Sequence, residues 1–586
     1  MVMIGGTTGG IALAALASAL AHAPSMAAET AAPADAAARC AALGARMDGH
    51  WPETGTRITR AVFQAAGPVA MPPGMPPPPG PPMPLPAHCE VEGIMHERTG
   101  VDGQHYAIRF HMRLPADWNG RFLFEGGGGT NGNLGLAIGM AGFSAPPALA
   151  RGFAVLSQDS GHDNATNSPP GKGGAVAFGL DPQARADYGG ASLRPVTLAA
   201  QALIRAYYGQ APRHSYFFGC SKGGQEGMML AQRDPDLYDG IVAGAPGFSL
   251  PRAAIGEVWN IQAFAGVVRA AGQPVTPGAI AASFSDADLG LVRTAVLAAC
   301  DAEDGARDGM ILDAAMCTSA KVLPRLNALA CADGRKSDAC LGRPQIEALV
   351  RIHDGAKDGE GRQLYPGFPW DAGWADMGWR IWMTGSADGR IPAINIAMGA
   401  PALAAIFTTP PTVPGPAPQD ALDYALGFDM SRDAARIDAV APPFQRSAWQ
   451  DIGARSIDLD AFRARGGRLI VPHGVSDPVF SIDDTLAWYR EVDARYDGTA
   501  GNFVRVFPVP GMNHCAGGPA TDQYDMLAVL MDWVEQGKAP DAVAARAGPM
   551  SPWPGRERPL CPYPAVARSS DGGGHFACVT PRSGTD

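Results

Sequence analysis

The sequence predicts an α/β fold: a mainly parallel sheet forms a core that is interrupted by a large inserted lid domain. Three observations predict it. Short apolar runs ending in glycine or polar residues alternate with helical patterns from about Tyr106 onward. That rhythm stops near 251 and resumes near 461. One of the runs leads directly into a glycine-flanked serine that is followed by a helical pattern.

The strand patterns come in order. Arg121–Phe124 (RFLF) leads into Gly126–Gly129, and Phe153–Leu156 (FAVL) into Ser157, Gln158 and Asp159. Tyr216–Phe218 (YFF) leads into Gly219, Cys220 and Ser221, and Ile241–Ala243 into Gly244–Gly247. Helical patterns lie between them, as in Pro195–Tyr208 and Gln225–Arg233. Strands that alternate with helices imply crossover connections and hence parallel pairing. Residues 251–460 carry four cysteines, many tryptophans and scattered prolines, with little strand rhythm, and read as the lid. Arg468–Val471 (RLIV) and Phe503–Pro508 (FVRVFP) restore the sheet pattern. The expected organisation is a first core part over 40–250, the lid over 251–460 and a second core part over 461–586.

Bulk properties agree with an exported globular protein. The chain has 586 residues, too many for one ordinary core. It is 46% hydrophobic and 18% charged, with a formal net charge of -11. That acidity argues against nucleic acid and anionic membranes as partners. Ile11–Ala21 is an apolar run followed by Ala-rich sequence to Ala28, so residues 1–28 read as a signal peptide, although no Lys or Arg precedes the run. It is too short to span a bilayer. The expected location is secreted or periplasmic, and the expected state a monomer. Residues 67–86 are a proline-rich run that can join neither helix nor sheet and reads as an extended surface loop. The ten cysteines have no CxxC pair and favour disulfides over zinc. Cys40 and Cys89 flank the proline run and could staple its ends.

Gly219-Cys220-Ser221-Lys222-Gly223 fits G-x-S-x-G between a strand and a helix, the context of a nucleophile elbow in an α/β-hydrolase core. A serine needs a base, and in this fold class the order is Ser, then Asp or Glu, then His. His514 sits in Gly511-Met512-Asn513-His514-Cys515 after the last strand pattern. Asp477 follows the RLIV strand and is placed to accept Nδ1–H of His514. His473 competes, but it reads more simply as a packed histidine at a strand end. Asp483 and Asp484 read as a helix start. Oxyanion donors are expected from the backbone N–H of Lys222 and from the run Gly126–Gly129. Cys220 adjoins the serine and Cys515 adjoins the histidine. A bond between them would lock the elbow to the histidine loop.

With these residues in view, the chain resembles the tannase and feruloyl esterase family. The motifs are GCSKGG (219–224), GGGGTNG (126–132), SGHDNA (160–165), APG (245–247) and GMNHCAGG (511–518). Within the family it is most similar to the branch acting on mono(2-hydroxyethyl) terephthalate, including DPQAR (181–185) and RPLCPYP (558–564). The resemblance implies Ser221, Asp477 and His514 as the triad, and Gly129 and Lys222 as oxyanion-hole positions. It implies the pairs Cys40–Cys89, Cys220–Cys515, Cys300–Cys317, Cys331–Cys340 and Cys561–Cys578. It also implies a structural Ca2+ in the lid, held by Asp301, Asp304 and Asp308 with carbonyls of Ala306 and Met310. The stretch DAEDGARDG spaces acids around glycines as hard-oxygen loops do. Gly128, Leu250, Trp382 and Phe480 fall where the family lines its aromatic acyl pocket.

Departures from that branch bear on the substrate. Lys222 stands where the branch has glutamate, and Gly128 where it has serine. Ile394 lies near the position of an arginine that clamps a substrate carboxylate, with Arg390 close by as a replacement. Without such a clamp, neutral aromatic esters, feruloyl esters or gallate esters become better candidates. The sequence thus predicts a serine hydrolase for small aromatic esters that uses no catalytic cofactor. A peptidase on the same fold and a non-catalytic binding protein are the alternatives.

Overall fold

The computed structural model describes residues 33–69, 84–142, 145–332 and 335–581. The leader at 1–28 and positions 70–83 of the proline-rich run lie outside these residues.

A nine-stranded sheet organises the core. Its strands are β1 (Arg57–Gln64), β2 (His88–Thr99), β3 (His105–Pro115), β4 (Arg121–Glu125), β5 (Ala154–Gln158), β6 (His214–Cys220), β7 (Gly240–Gly244), β8 (Arg468–Gly474) and β9 (Val504–Val509). In space they run β1-β2-β3-β5-β4-β6-β7-β8-β9. β1, β2, β3 and β5 pair antiparallel, and all pairs from β5 to β9 are parallel.

Period-two alternation explains how the apolar runs become a two-sided sheet. Phe122 and Phe124 of β4 enter one apolar cluster while Leu123 enters the other. Phe217 and Tyr216 of β6 divide in the same way, as do Leu469 and Ile470 of β8. Amphipathic helices cover both faces. Leu193–Tyr208 and Ile482–Arg495 lie over the first cluster, and Met526–Gln536 over the second.

The antiparallel start of the sheet, β1 to β3, was not expected. β1 is half exposed and carries Arg57 and Arg60 on the sheet edge, so its apolar signal is weak. The connection to β2 crosses the proline-rich run, whose ends meet where Gly67 and Leu85 exchange backbone hydrogen bonds of 3.1 and 2.7 Å. Cys40 and Cys89 are bonded beside them, joining the N-terminal helix to β2.

Between β7 and β8 the chain carries helices joined by loops and one short antiparallel hairpin (Ala356–Lys357 with Gln363–Tyr365), and it opens with the long helix Leu250–Ala270. Its interior is built on Trp370, Trp374 and Trp379, all fully buried. Val479 and Phe480 of the core join the same apolar cluster, so the inserted segment and the sheet share one interior at the site. The disulfides Cys300–Cys317 and Cys331–Cys340 lie inside it, and Cys561–Cys578 ties the C-terminal hairpins. Among the described residues no helix is long and apolar enough to cross a membrane.

Candidate active site

The carboxyl ends of four parallel strands converge on one place, as open α/β sheets require of a ligand site. Ser221 follows β6 at φ 65°, ψ -121°, and opens the helix Lys222–Arg233. Positive φ at a residue with a Cβ is strained, and the surroundings enforce it. A Cβ on Gly219 would meet the Gly223 carbonyl carbon at 2.6 Å, and one on Gly224 would meet Gly244 O at 2.3 Å. The elbow therefore needs glycine at both positions. The Ser221 N–H donates to Gly244 O at 3.0 Å and so anchors the turn to β7.

Asp477 follows β8 and is 2% exposed. Its Oδ1 accepts the N–H groups of Val479 at 2.8 Å and Phe480 at 3.1 Å, and its Oδ2 lies 2.8 Å from His514 Nδ1. Burial alone would raise its pKa. The neighbouring histidines, His514 foremost, and their hydrogen bonds outweigh burial and hold the carboxyl well below its usual range. His514 Nε2 has no partner among the described residues. The ring sits between Trp382 and Phe480, edge-on to both, with centroids 5.4 and 5.3 Å away. Cys220 and Cys515 are disulfide-bonded with Cα atoms 6.1 Å apart, which fixes Ser221 and His514 as chain neighbours of one covalent link. His473 is fully buried, with Nδ1 2.9 Å from Thr485 Oγ1 and Nε2 3.0 Å from Phe480 O and 3.5 Å from Asp477 Oδ2, so it packs on the carboxylate that His514 also contacts. Asp483 and Asp484 open a helix capped by Ser481.

The inserted segment also holds the histidine loop. Asp371 is fully buried, and its Oδ2 accepts the Gly511 N–H at 3.1 Å. Asn513 Nδ2 donates to Gly373 O and Ser476 O, both at 3.3 Å.

Gly126–Gly129 follows β4 and packs on the elbow. A Cβ on Gly126 would lie 2.9 Å from Gly223 Cα. Gly129 has φ 56°, and its carbonyl accepts the Tyr188 hydroxyl at 3.2 Å. Among the described residues the N–H groups of Gly129 and Lys222 meet no protein acceptor. Two free donors beside a serine are suited to a developing oxyanion.

The Lys222 side chain, to which sequence reasoning gave no task, is buried. Its Nζ donates to Glu226 Oε1 at 2.9 Å and lies 4.6 Å from the centre of the Tyr188 ring. Burial lowers the pKa of this ammonium, and Glu226 opposes that shift. Glu226 also accepts the Gly127 N–H and Asn131 Nδ2, both at 2.9 Å, and the Ser160 hydroxyl at 3.2 Å. It is thus the hub that fastens the glycine loop to the elbow helix. The i,i+4 spacing of Lys222 and Glu226 on a helix was the one available signal for it.

A narrow cavity opens on Ser221. Gly129, Lys222, Leu250, Trp382 and Phe480 line it, and so do Tyr188, Glu257 and Met398, which the sequence did not single out. Two expected pocket residues need correction. Arg390 does not line the cavity; its side chain is 85% exposed and pairs with Asp388 at 3.3 Å in a surface turn. Gly128 does not line it either, and a Cβ there would meet open space.

In the acidic loop of the inserted segment the carboxylates accept backbone N–H groups of the loop itself. Asp301 Oδ1 accepts the N–H groups of Asp308 at 3.3 Å and Gly309 at 2.9 Å. Asp304 accepts those of Ala306 and Leu312, the Met310 N–H donates to Asp308 Oδ1, and Asp308 Oδ2 pairs with Arg558. Among the described residues no group of three or more His, Cys, Asp or Glu side chains converges as metal ligands. Asp304 is 1% exposed, and burial, with Asp308 and Asp301 adding to it, pushes its pKa up to about 6.

Comparison with known proteins matches residues 89–582 to the model of the family described as tannase and feruloyl esterase. A mono(2-hydroxyethyl) terephthalate hydrolase from Piscinibacter sakaiensis is 43% identical over 561 residues, covering 91% of this chain and 90% of that protein. Feruloyl esterase B from Aspergillus niger is 27% identical over 452 residues, covering 73% of this chain and 74% of that protein. The crystal structure of feruloyl esterase B from Aspergillus oryzae superposes with a TM-score of 0.70 at 22% identity, covering 93% of this chain and all of that one.

Proposed function

The chain belongs to the tannase and feruloyl esterase family and is a carboxylic ester hydrolase; on that premise we propose that it cleaves esters of aromatic carboxylic acids with a Ser221–His514–Asp477 triad. The observation that carries this reading is the 2.8 Å contact of His514 with Asp477, in a loop bonded through Cys515 to the neighbour of Ser221. In the proposed reaction Ser221 Oγ attacks the ester carbonyl as His514 Nε2 takes its proton. Asp477 holds the ring by Nδ1 and stabilises the imidazolium. The N–H groups of Gly129 and Lys222 receive the oxyanion. His514 then returns the proton to the departing alcohol, and water cleaves the acyl-enzyme by the same route in reverse.

Trp382, Phe480 and Leu250 around the cavity favour a flat aromatic acyl group. Relatives named as a mono(2-hydroxyethyl) terephthalate hydrolase and as a feruloyl esterase suggest an aryl ester here too. Five disulfides favour an oxidising compartment, and we propose secretion or a periplasmic location. We also propose that the acidic lid loop binds a structural Ca2+ through Asp301, Asp304 and Asp308 with the carbonyls of Ala306 and Met310. That ion would stabilise the loop and take no part in the chemistry.

The test is hydrolysis of aromatic esters by wild type and Ser221→Ala. The variant is expected to lose turnover by several orders of magnitude while keeping its fold by circular dichroism. Retained turnover refutes the nucleophile, and a wild type inert on every aryl ester refutes the function.

A further inference from the structure

Glu257 lies on the helix Leu250–Ala270 and lines the same cavity as Ser221, Trp382 and Phe480. The residue is 6% exposed, and its Oε2 has no hydrogen-bond partner among the described residues. Among the described residues it forms no ion pair. Room for the carboxyl comes from a glycine: a Cβ on Gly399 would stand 1.7 Å from Glu257 Oε2. Burying a carboxyl with nothing to answer it costs stability. Nothing in the proposed ester cleavage uses it.

The cavity offers no cation to answer it. Lys222 is the only basic side chain among the lining residues, and its ammonium is committed to Glu226 and the Tyr188 ring. Arg390 points to solvent. Burial, reinforced by the charge of Asp477, pushes the Glu257 carboxyl up to about 8, so it is largely a neutral acid at neutral pH. A neutral carboxyl has one O–H donor and a carbonyl acceptor.

We propose that Glu257 is a specificity residue of the acyl pocket that hydrogen-bonds a hydroxyl on the aromatic ring of the acyl group. This deepens the aryl-ester reading above and rests on it. A ring hydroxyl both donates to and accepts from a carboxyl, so each partner satisfies the other. A ring carboxylate would instead be buried without a cation. A site built to hydrogen-bond a hydroxyl discriminates against the analogue that lacks it, because its own polar group is then left unpaired. The pocket thus selects hydroxylated aryl esters over their O-methyl ethers and over mono-acids.

The experiment compares kcat/KM on methyl ferulate, its 4-O-methyl ether and mono(2-hydroxyethyl) terephthalate for wild type, Glu257→Gln and Glu257→Leu. Wild type is expected to prefer the free hydroxyl to the ether by about tenfold or more. Glu257→Leu is expected to bring that ratio near one while still turning over the ether. Glu257→Gln keeps a donor and an acceptor and is expected to retain most of the preference. A ratio unchanged in Glu257→Leu overturns the inference. So does a loss in Glu257→Gln equal to that in Glu257→Leu, or a wild type that prefers the mono-acid. Hydrolysis with the wrong ratios leaves the aryl-ester reading standing, whereas no hydrolysis of any of the three by wild type overturns both.

Discussion

Replacing Glu226 by glutamine probes the buried hub behind the proposed oxyanion donors. Glu226 accepts from Lys222 Nζ, Asn131 Nδ2 and Ser160 Oγ on Oε1, and from the Gly127 N–H on Oε2. A glutamine has one acceptor oxygen and one NH2. Whichever way it turns, its NH2 faces another donor, either the Gly127 N–H or the Lys222 ammonium. The Lys222 and Glu226 side chains are each 1% exposed, so the ammonium is left buried without a counter-charge. Breaking a buried pair in this way costs about 3–5 kcal/mol. Lys222→Met is expected to cost less, because Glu226 keeps its three other donors. The double variant is expected to recover part of the loss, with a coupling energy of about 1–3 kcal/mol. Urea unfolding of the four proteins measures this cycle. Because Gly127 adjoins the loop that presents the Gly129 N–H, Glu226→Gln is also expected to lower kcat about tenfold or more, short of the loss of a whole oxyanion donor. A Glu226→Gln cost below about 1 kcal/mol, or an additive cycle, would refute the reasoning.

Three further expectations follow from other parts of the molecule. Cys220 and Cys515 are 295 residues apart, so the chain-entropy model sets a ceiling of about 5–6 kcal/mol on what their bond contributes; Cys220→Ala/Cys515→Ala should lose activity even where it stays folded, and unaltered kcat/KM would remove the positioning role. The folded-state pKa of Glu257 is raised from 4.5 to about 8, so the folded protein keeps a proton there that the unfolded chain releases. Its contribution is intact below about pH 4.5, falls by up to about 1.4 kcal/mol per pH unit on the way to pH 8, and then levels off. Subtracting the Glu257→Gln stability curve from that of wild type should reveal this slope, and parallel curves would contradict the buried acid. For the lid loop, chelation followed by Ca2+ addition should lower and then restore Tm in wild type, with a smaller response in Asp304→Asn; a Tm indifferent to both would remove the calcium proposal.

The sequence by itself determined strands β4 to β9 of the sheet and singled out the residues proposed to react. β4 to β9 were legible because each is a short apolar run ended by glycine or a polar residue, and because central parallel strands are buried on both faces. Ser221, Asp477 and His514 were legible because each sits just past such a strand. Local signals carry these features. Tertiary structure alone decided β1 to β3, an antiparallel start whose strands are given meaning only by their neighbours across the sheet. It alone placed Arg390 in solvent, since proximity in sequence to Ile394 says nothing of which way a turn faces. It alone revealed Glu226 as a hub, because three of the donors to it come from 66 to 99 residues away. The same holds for Asp371, which reaches the histidine loop across 140 residues, and for Glu257, whose cavity is assembled from Gly129 to Phe480. A carboxyl's chemistry is set by what surrounds it, and those surroundings exist only once the inserted helices close over the ends of the strands.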